Sequence, residues 1–243
     1  MSKIAKSLKV DNSVIRKILK DNNISIRDNN YYKQKSFIVN YFKNIDTEEK
    51  AYWLGFIYAD GCISKNTFEI KLSITDIEHL YKLKDCLKSE HKIYQGISKS
   101  SFGISKYCGF SITNKNLVND LLSQGVFYNK SKILEPPTIN SKYIPAFIRG
   151  YFDGDGSVYE FHKIHEGSVS FIGTYKMLHW ILENIKSCVN TKVNIYKYKN
   201  KDIYEFKIGG KNHFVQCYNY LYKDATVYLD RKKQKFEYIL NAN

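Results

Sequence analysis

The stretch Trp53-Leu-Gly-Phe-Ile-Tyr-Ala-Asp-Gly61 is an apolar run that ends in an Asp-Gly pair. A second version stands at Ile148-Arg-Gly-Tyr-Phe-Asp-Gly-Asp-Gly156, and the two align without a gap so that Asp60 falls on Asp155. Each run predicts a helix, and the glycine after it is the residue type that commonly closes a helix in the left-handed conformation. We therefore expect two helices that each end at an aspartate.

One face of each predicted helix carries small residues four positions apart. They are Gly55 and Ala59 in the first helix and Gly150 and Gly154 in the second. Positions four apart lie on one side of a helix, and small residues there let two helix backbones approach closely. If the helices pair through these faces, Asp60 and Asp155 emerge side by side at the two C-terminal ends.

The composition indicates a globular basic protein. The chain has 243 residues, of which 43% are hydrophobic, an ordinary share for a protein that buries a core. Its formal net charge is +14 and its pI is about 9.3. This surplus favours a polyanionic partner, with nucleic acid ahead of an anionic membrane. A basic protein without such a partner is the alternative.

Cysteines and histidines give no sign of a disulfide framework or a zinc site. The five cysteines are widely spaced and no Cys-x-x-Cys occurs, so buried, reduced thiols are expected. His162 and His165 form an isolated His-x-x-His, for which a surface hairpin is favoured over metal binding. Without an apolar signal region or a run of about 20 apolar residues, no membrane association is expected. We expect a protein that stays inside the cell.

Residues 1–27 have the pattern of a small helix-turn-helix-like DNA-binding segment, in which two short helices flank a turn at Lys9–Asn12. Asp11, Asn12 or Ser13 is expected to cap the second helix. That helix would present five polar residues to a DNA groove: Asn12, Ser13, Arg16, Lys17 and Lys20. A simple helical hairpin is the alternative.

Residues 28–45 have the composition of a polar linker, with one helical piece around Phe37–Phe42. Asp46 is then expected to cap the first motif helix, with Glu49 as its capping-box partner.

Two halves, residues 46–137 and 138–243, share one predicted order of elements. In the first half, alternation over Thr67–Ser73 predicts a half-buried strand, and further elements are expected at Ile77–Leu87, Ile93–Lys99, Tyr107–Thr113 and Asn116–Ser123. In the second half they are expected at Ser157–Gly173, Leu178–Ile185, Lys192–Lys199, Ile203–Ile208, Asn212–Tyr222 and Lys232–Leu240. The fold class is therefore α+β, with two αββαββα halves related by an approximate two-fold axis.

The ends of the two halves also match, since Val126–Lys132 falls on Val227–Lys233. Glu135-Pro-Pro137 is a stiff joint between the halves. An approximate two-fold axis suits a substrate with its own near two-fold symmetry, as duplex DNA has.

With two ordered motifs, residues 46–240 resemble the LAGLIDADG homing endonucleases in their single-chain form. The closing segment Val227–Phe236 is similar to the bacterial and phage branch. This similarity implies a cytoplasmic protein of a bacterial or phage-infected cell, or an organellar one in a eukaryote. The first motif departs from the family pattern at Trp53, Leu54 and Tyr58, and the second at Arg149, but both keep the final aspartate. The resemblance implies two saddle-like antiparallel sheets and a monomeric enzyme that cuts both strands of DNA at a specific site.

The resemblance also implies that Asp60 and Asp155 are metal ligands, with the carbonyls of Ala59 and Gly154 beside them. Two carboxylates at the negative ends of parallel helices repel each other, so a divalent cation is expected between them. Oxygen ligands near phosphates suit Mg²⁺, for which Mn²⁺ substitutes. The alternative is that each Asp-Gly only ends a helix and leaves an exposed carboxylate.

Basic residues are also needed to stabilise the phosphate in the transition state. The candidates are Lys71, Lys130, Lys176, Lys207 and Arg231, and the sequence does not choose among them. The outer sheet faces are expected in the major groove. Candidate groove contacts are Thr67, Glu69, Lys71 and Ser73 in the first half, Asn194, Tyr196, Tyr198, Glu205 and Lys207 in the second, and Lys130, Arg231 and Lys232 in the closing segments.

These observations favour a Mg²⁺-dependent, site-specific double-strand DNA endonuclease. A maturase or DNA-binding regulator of the same fold, with intron RNA or a promoter as partner, is the alternative from a binding class. A structural basic protein would show only salt-labile, sequence-blind binding. An intein is not expected, because Met1 and the closing Leu240-Asn-Ala-Asn243 lack the terminal residues for splicing.

Overall fold

The computed structural model describes residues 2–22, 24, 35–101, 103–128, 130, 133–161, 166–199 and 201–242. His162 and His165 therefore lie outside the described residues. The chain divides into two compact units, Met1–Ser36 and Phe37–Asn243. The larger unit contains both motif halves.

The smaller unit is a pair of helices, α1 (Ser2–Ser7) and α2 (Asn12–Asp21). Among the expected caps it is Asp11 that acts, because its carboxylate accepts the backbone N–H of Ser13 at 2.8 Å. Ala5 and Ile15, one from each helix, are buried. The polar residues predicted to contact DNA are all exposed, namely Asn12, Ser13, Arg16, Lys17 and Lys20.

The larger unit repeats one order of elements, which confirms the predicted α+β class. The first half contains α3 (Glu48–Asp60), β1 (Gly61–Ser64), β2 (Thr67–Ser73), α4 (Ile77–Cys86), β3 (Tyr94–Ser100), β4 (Gly103–Thr113) and α5 (Lys115–Ser123). The second half contains α6 (Ile144–Asp155), β5 (Ser157–Phe161), β6 (Glu166–Gly173), α7 (Tyr175–Ile185), β7 (Tyr196–Lys197), β8 (Tyr204–Gly209), α8 (Lys211–Tyr222) and α9 (Asp230–Asn241).

Each half carries one four-stranded antiparallel sheet, ordered β1-β2-β4-β3 in the first half and β5-β6-β8-β7 in the second. The alternation predicted for β2 is confirmed, since Phe68, Ile70 and Leu72 are buried whereas Lys71 and Ser73 are exposed. Helices cover the apolar face of each sheet, and the opposite face carries mainly polar side chains, of which Lys71, Ser73 and Lys207 are exposed.

The two motif helices, α3 and α6, pack directly against each other at the centre of the unit. A Cβ on Gly55 would overlap the carbonyl oxygen of Phe147, and a Cβ on Gly150 would overlap that of Tyr52. The small residues therefore bring backbone against backbone, as predicted. Because both helices are buried along nearly their whole length, their apolar residues serve the cores of both halves.

Ion pairs also join the two halves, between α9 and the segment that begins α4. Arg231 donates from Nε and Nη2 to the two oxygens of Asp76, each at 3.0 Å. Lys82 donates to Asp230 at 2.7 Å. Asp76 is buried, so this bidentate pair fixes the position of α9 on the first half.

The conformation predicted for the glycines that follow the helices is wrong. Gly61 has φ −71° and Gly156 has φ −78°, so neither is left-handed. A Cβ on Gly61 would lie 2.6 Å from Cγ2 of Ile57, and a Cβ on Gly156 would overlap the ring of Phe152. Both positions require glycine because the chain passes from helix to strand there and lies against the last turn of the helix. A side chain would not fit in that space.

The predicted cap of α3 is also wrong. Thr47 is the capping residue, since its hydroxyl accepts the N–H of Lys50 at 3.2 Å. Asp46 instead forms an ion pair with Lys50 at 2.8 Å, and Glu49 accepts the hydroxyl of Tyr41 at 2.6 Å. A threonine next to an aspartate offers two competing caps, and the sequence does not decide between them.

Two further segments differ from expectation. Residues 37–42 form turns rather than a helix, closed by a hydrogen bond from Tyr41 N to Ile38 O at 3.3 Å. The strand predicted over 192–199 is limited to Tyr196–Lys197 because, as an edge strand, it is held by β8 alone. Cys62 and Cys188 are exposed, so the expectation of buried thiols fails for these two. Within the described ranges, no helix is long and apolar enough to cross a membrane.

Gly150→Ala is expected to destabilise the protein by about 3 kcal/mol, because the new methyl group would overlap the backbone of α3. The measurement is the urea dependence of unfolding, followed by circular dichroism. Gly209→Ala is the matched control, since its Cβ would meet only Ser168 Cβ at 3.5 Å, and it should change stability by less than about 1 kcal/mol. Equal midpoints for both variants would contradict the close packing of the helices.

Candidate active site

Asp60 and Asp155 are the last residues of α3 and α6, and the packing of these helices brings them together. The Oδ2 atom of Asp60 lies 3.2 Å from the position that a Cβ on Gly154 would occupy. At the same level a Cβ on Gly154 would overlap Cβ of Ala59, so only hydrogen fits between the helix ends. The predicted juxtaposition of the two aspartates therefore follows from the small residue beside each of them.

Lys130 closes the C-terminal end of α3. Its ammonium donates to the carbonyl oxygens of Ala59 at 2.9 Å and Gly61 at 2.5 Å. The residue is only 8% exposed. A cation at this end of a helix satisfies carbonyls that have no intrahelical partner and opposes the negative end of the helix dipole.

Lys232 does the same for α6. Its ammonium donates to the carbonyl oxygens of Phe152 at 2.5 Å, Gly154 at 3.2 Å and Gly156 at 2.5 Å. The residue is 6% exposed. Each aspartate of the pair therefore stands beside a helix end that carries a buried ammonium group.

The electrostatics of the four groups are coupled. Burial, followed by repulsion from Asp155, raises the pKa of Asp60 to about 6, and Lys232 and Lys130 oppose this rise. Asp155 keeps solvent access, but the protein groups packed around its carboxyl displace water and raise its pKa. Desolvation lowers the pKa of Lys130, and it lowers that of Lys232 to about 8. The site thus places two carboxylates close together, and it places both lysines where water solvates their ammonium groups poorly.

The residue two positions before each aspartate ties its helix to the segment that supplies the lysine. Tyr58 donates its hydroxyl to the carbonyl oxygen of Gln124 at 2.6 Å. Its counterpart Asp153 is buried and accepts the N–H of Leu229 at 2.7 Å. Tyr58 and Asp153 therefore each tie a motif helix to a later segment by a hydrogen bond to its backbone. Because tyrosine makes such a bond, the first motif can depart from the family pattern at this position.

Asp153 also joins the two halves through a buried polar cluster. It accepts the hydroxyl of Tyr52, from the other motif helix, at 2.7 Å, and it accepts the hydroxyl of Tyr222 as well. The hydroxyl of Tyr52 lies 3.0 Å from Nε2 of His79. Burial lowers the pKa of His79 to about 3, so the imidazole is neutral at physiological pH.

A cavity of about 220 Å³ opens beside the carboxylates, on the side of Asp155. Asp155, Lys130 and the hydroxyl-bearing Tyr151 line it, together with Leu134 from the segment between the halves. The carbonyl of Leu134 is held by the hydroxyl of Thr174 at 2.6 Å. The cavity therefore gives a substrate group access to Asp155 and Lys130 at the same time.

The other predicted basic residues lie in ion pairs of their own. Lys71 pairs with Glu69 at 2.9 Å, Lys207 with Glu205 at 3.5 Å, Lys176 with Glu135, and Arg231 with Asp76 at 3.0 Å. Their catalytic or phosphate-binding roles stay predictions. The structure brings together Asp60, Asp155, Lys130 and Lys232, with the carbonyls of Ala59 and Gly154.

The ungapped match of the closing segments pairs Lys130 with Arg231, and in this respect it is wrong. The contacts make Lys232 the counterpart of Lys130, one position later. Arg231 instead donates to the carboxylate of Asp76 and points away from the helix end. Arg231 and Lys232 are adjacent and both basic, so an alignment of the two segments does not reveal which of them corresponds to Lys130.

The surroundings of the aspartate pair fit a Mg²⁺ ion. In the part of the chain that the structure describes, no group of three or more His, Cys, Asp or Glu side chains is placed to bind a metal. Two carboxylates and nearby carbonyls are nevertheless a suitable set, because Mg²⁺ keeps several waters and shares its ligands with substrate phosphates. Lys130 and Lys232 already donate to the carbonyls of Ala59 and Gly154, so direct ligation by these carbonyls stays a prediction.

Asp60→Asn is expected to stabilise the metal-free protein above pH 6 by about 1–3 kcal/mol. The unfolded carboxyl has a pKa of 3.8 and the folded one a pKa of about 6, so the folded state binds more protons between these values. Raising the pH through this window therefore lowers the stability of the native sequence, whereas the variant lacks this loss. Urea unfolding in EDTA from pH 4 to pH 8 measures the difference, which should nearly vanish at pH 4.

Asp46→Asn is the control for that experiment. The hydrogen bond from Lys50 holds the pKa of Asp46 below its ordinary value of 3.8, so Asp46→Asn is expected to destabilise the protein. This loss should stay constant well above pH 3.8 and should shrink only in more acid solution. A difference between Asp60→Asn and the native sequence that stays constant from pH 4 to pH 8 would contradict the raised pKa of Asp60.

No protein-family model matches the sequence, and no curated protein sequence matches it either. Solved structures do match. The I-LtrWI LAGLIDADG homing endonuclease bound to target DNA is 12% identical over 84% of this chain and 90% of that chain, with a TM-score of 0.51. I-GzeII in complex with its DNA target is 15% identical over 79% and 89%, with a TM-score of 0.50. I-SmaMI bound to cleaved DNA is 12% identical over 80% and 88%, with a TM-score of 0.50.

At these identities the comparison establishes the fold, and it agrees with the element order and the paired motif helices described above. The resemblance predicted from the two motifs is confirmed at this level. The chain has the LAGLIDADG homing endonuclease fold in its single-chain, two-motif form.

Proposed function

We propose that this protein is a site-specific double-strand DNA endonuclease that hydrolyses phosphodiester bonds with a divalent metal ion. The observation that carries the proposal is the pair Asp60 and Asp155, held side by side at helix ends that each bear a buried lysine. Repulsion within the pair costs stability, and a protein without need of a metal would gain by replacing either residue. The net charge of +14 suits a DNA partner.

Each aspartate serves one DNA strand, and a divalent cation, when bound, supplies charge neutralisation at the scissile phosphate and makes water more acidic. The chain's own residues orient the phosphate between the helix ends. Lys130 and Lys232 contribute fixed positive charge beside it, in a site where few waters screen the interaction. Mg²⁺ is the proposed ion, with Mn²⁺ as a substitute.

Specificity is assigned to the polar faces of the two sheets. Lys71, Ser73 and Lys207 are exposed on these faces, as the major-groove hypothesis requires. I-LtrWI bound to target DNA and I-SmaMI bound to cleaved DNA have the same fold, which supports duplex DNA as the substrate. Because both motifs lie in one chain, the protein is proposed to act as a monomer, with the helix pair of residues 2–22 as an additional DNA contact.

The first test is cleavage of a plasmid library by the purified protein in Mg²⁺. Asp60→Asn and Asp155→Asn should each reduce double-strand cleavage by about 100-fold or more, because each removes a carboxylate from the shared site. The double variant should show no cleavage above background. Cleavage at the native rate by both single variants would overturn the assignment of the site. Tight binding to DNA or intron RNA without cleavage in Mg²⁺ or Mn²⁺ would favour a regulator or maturase.

A second test concerns the buried lysine of the first half. Lys130→Met should lower the cleavage rate by about 100-fold while affinity for the target changes by only a few-fold, since the lost charge acts mainly on the transition state. The matched control is Lys186→Met, which removes an exposed ammonium that pairs with Glu183. Urea unfolding of each variant separates loss of folding from loss of chemistry. An unchanged cleavage rate in a folded Lys130→Met protein would contradict the role of Lys130.

A further inference from the structure

Each sheet carries, on its polar face, a cluster of one tyrosine, one glutamate and one lysine. The first triad is Tyr94, Glu69 and Lys71. The hydroxyl of Tyr94 donates to Oε1 of Glu69 at 2.6 Å, and the ammonium of Lys71 lies 2.9 Å from Oε2. Both oxygens of the carboxylate are therefore engaged within the protein. Lys71 remains 53% exposed in its side chain, so it can still donate outward.

Gly109 makes the first triad possible. In the register of the sheet, Gly109 on β4 stands between Lys71 on β2 and Tyr94 on β3. A Cβ on Gly109 would overlap the ring of Tyr94. The side chain of Tyr94 thus extends across β4 to reach Glu69. It passes over Gly109, where only glycine leaves room for its ring.

The second triad is Tyr198, Glu205 and Lys207. The hydroxyl of Tyr198 donates to Oε2 of Glu205 at 3.0 Å, and the ammonium of Lys207 lies 3.5 Å from Oε1. The glutamate side chain is 13% exposed, whereas that of Lys207 is 58% exposed. Lys207 is also held 5.5 Å above the ring of Tyr159, which restricts where its ammonium can point.

The two triads are not equivalent by the internal repeat. Glu69 and Lys71 lie on β2, the second strand of its sheet, whereas Glu205 and Lys207 lie on β8, the third strand in the order of the other sheet. Duplication of one half would have placed them on corresponding strands. The same three chemical groups therefore occur on both faces without being copies of each other.

The chemistry of a triad suits a base edge better than a phosphate. Because glutamate and lysine nearly cancel in charge, the pair offers little attraction to a phosphate group. The lysine still presents N–H donors, and the tyrosine oxygen, whose proton is directed to the glutamate, presents acceptor lone pairs. A G·C pair shows in the major groove two acceptors on guanine beside an amino donor on cytosine. An A·T pair also shows acceptors and a donor, but its two acceptors, adenine N7 and thymine O4, lie on either side of the amino group. Only guanine offers a lysine two adjacent acceptors, with the cytosine amino donor next to them for the tyrosine oxygen.

We propose that each triad recognises one G·C base pair in the major groove, with the lysine donating to guanine and the tyrosine hydroxyl oxygen accepting from the cytosine amino group. Glu69 and Glu205 are positioning residues: each accepts the tyrosine hydroxyl and attracts the lysine by an ion pair, at 2.9 Å for Lys71 and 3.5 Å for Lys207. This inference rests on the proposed function, because it assumes duplex DNA on the sheet faces.

The test is selection of bound sequences from a random duplex DNA library by the full-length protein, in Ca²⁺ so that binding is measured apart from cleavage. The native protein should show a G·C preference on the order of 10-fold or more at one position in each half-site. Lys71→Met should reduce that preference to about 2-fold or less in one half-site and leave the other unchanged. Lys207→Met should do the reverse. Lys186→Met, which removes a charge from the exposed pair with Glu183, should leave both preferences intact.

Gly109→Ala distinguishes positioning from a simple loss of charge. Its methyl group displaces the Tyr94 ring from Glu69 without changing any charged residue. The G·C preference should fall at the same position as for Lys71→Met, with the melting temperature within a few degrees of the native value. Tyr198→Phe is the corresponding variant in the second half, and it should affect the position that Lys207→Met affects.

Two results would overturn the proposal. One is a uniform loss of affinity across all sequences in Lys71→Met and Lys207→Met with a smaller salt dependence, which is the signature of phosphate contacts. The other is the absence of a position-specific change in Gly109→Ala and Tyr198→Phe while both bind the library. If the native protein selects no sequence and cuts no DNA, the proposed function itself fails, so the two failures are distinguishable.

Discussion

The close approach of two helix backbones is the constraint on which the rest of the larger unit depends. Gly55 and Gly150 leave no room for a side chain between α3 and α6, so the helices meet along their full buried length. That contact sets the relation of the two sheets and brings Asp60 and Asp155 to one point. Any residue larger than glycine at either position would separate the helices, and the aspartates would separate with them.

Bringing the aspartates together creates an electrostatic problem that the surrounding residues only partly solve. Lys130 and Lys232 are committed to helix-end carbonyls, so they lower the negative charge of the site without neutralising each aspartate directly. Burial in the first place, and repulsion from Asp155 in the second, keep the pKa of Asp60 raised despite the two lysines. A site prepared in this way favours a small, doubly charged cation, which can satisfy both carboxylates at once.

The sequence predicts the features that depend on periodicity and on repetition. The small-residue faces of the helices, the alternation in β2 and the order of elements in both halves follow from patterns several residues long. Features decided by single contacts are not predictable in this way. Thr47 and Asp46 compete to cap α3, and Lys232 rather than Arg231 turns toward the helix end because Asp76, remote in sequence, binds the arginine. Neither outcome is encoded in a local pattern.

The ion pairs that join α9 to Asp76 and to α4 make the two halves unlike each other. The first half supplies Asp76 and Lys82, and the second supplies Arg231 and Asp230, so acid and base are distributed differently on the two sides. Two identical copies of either half would lack these partners. The halves have thus become complementary rather than interchangeable, and a return to a symmetric homodimer would require several simultaneous substitutions. The paired motifs keep a symmetry that Arg231 with Asp76 and Lys82 with Asp230 do not share.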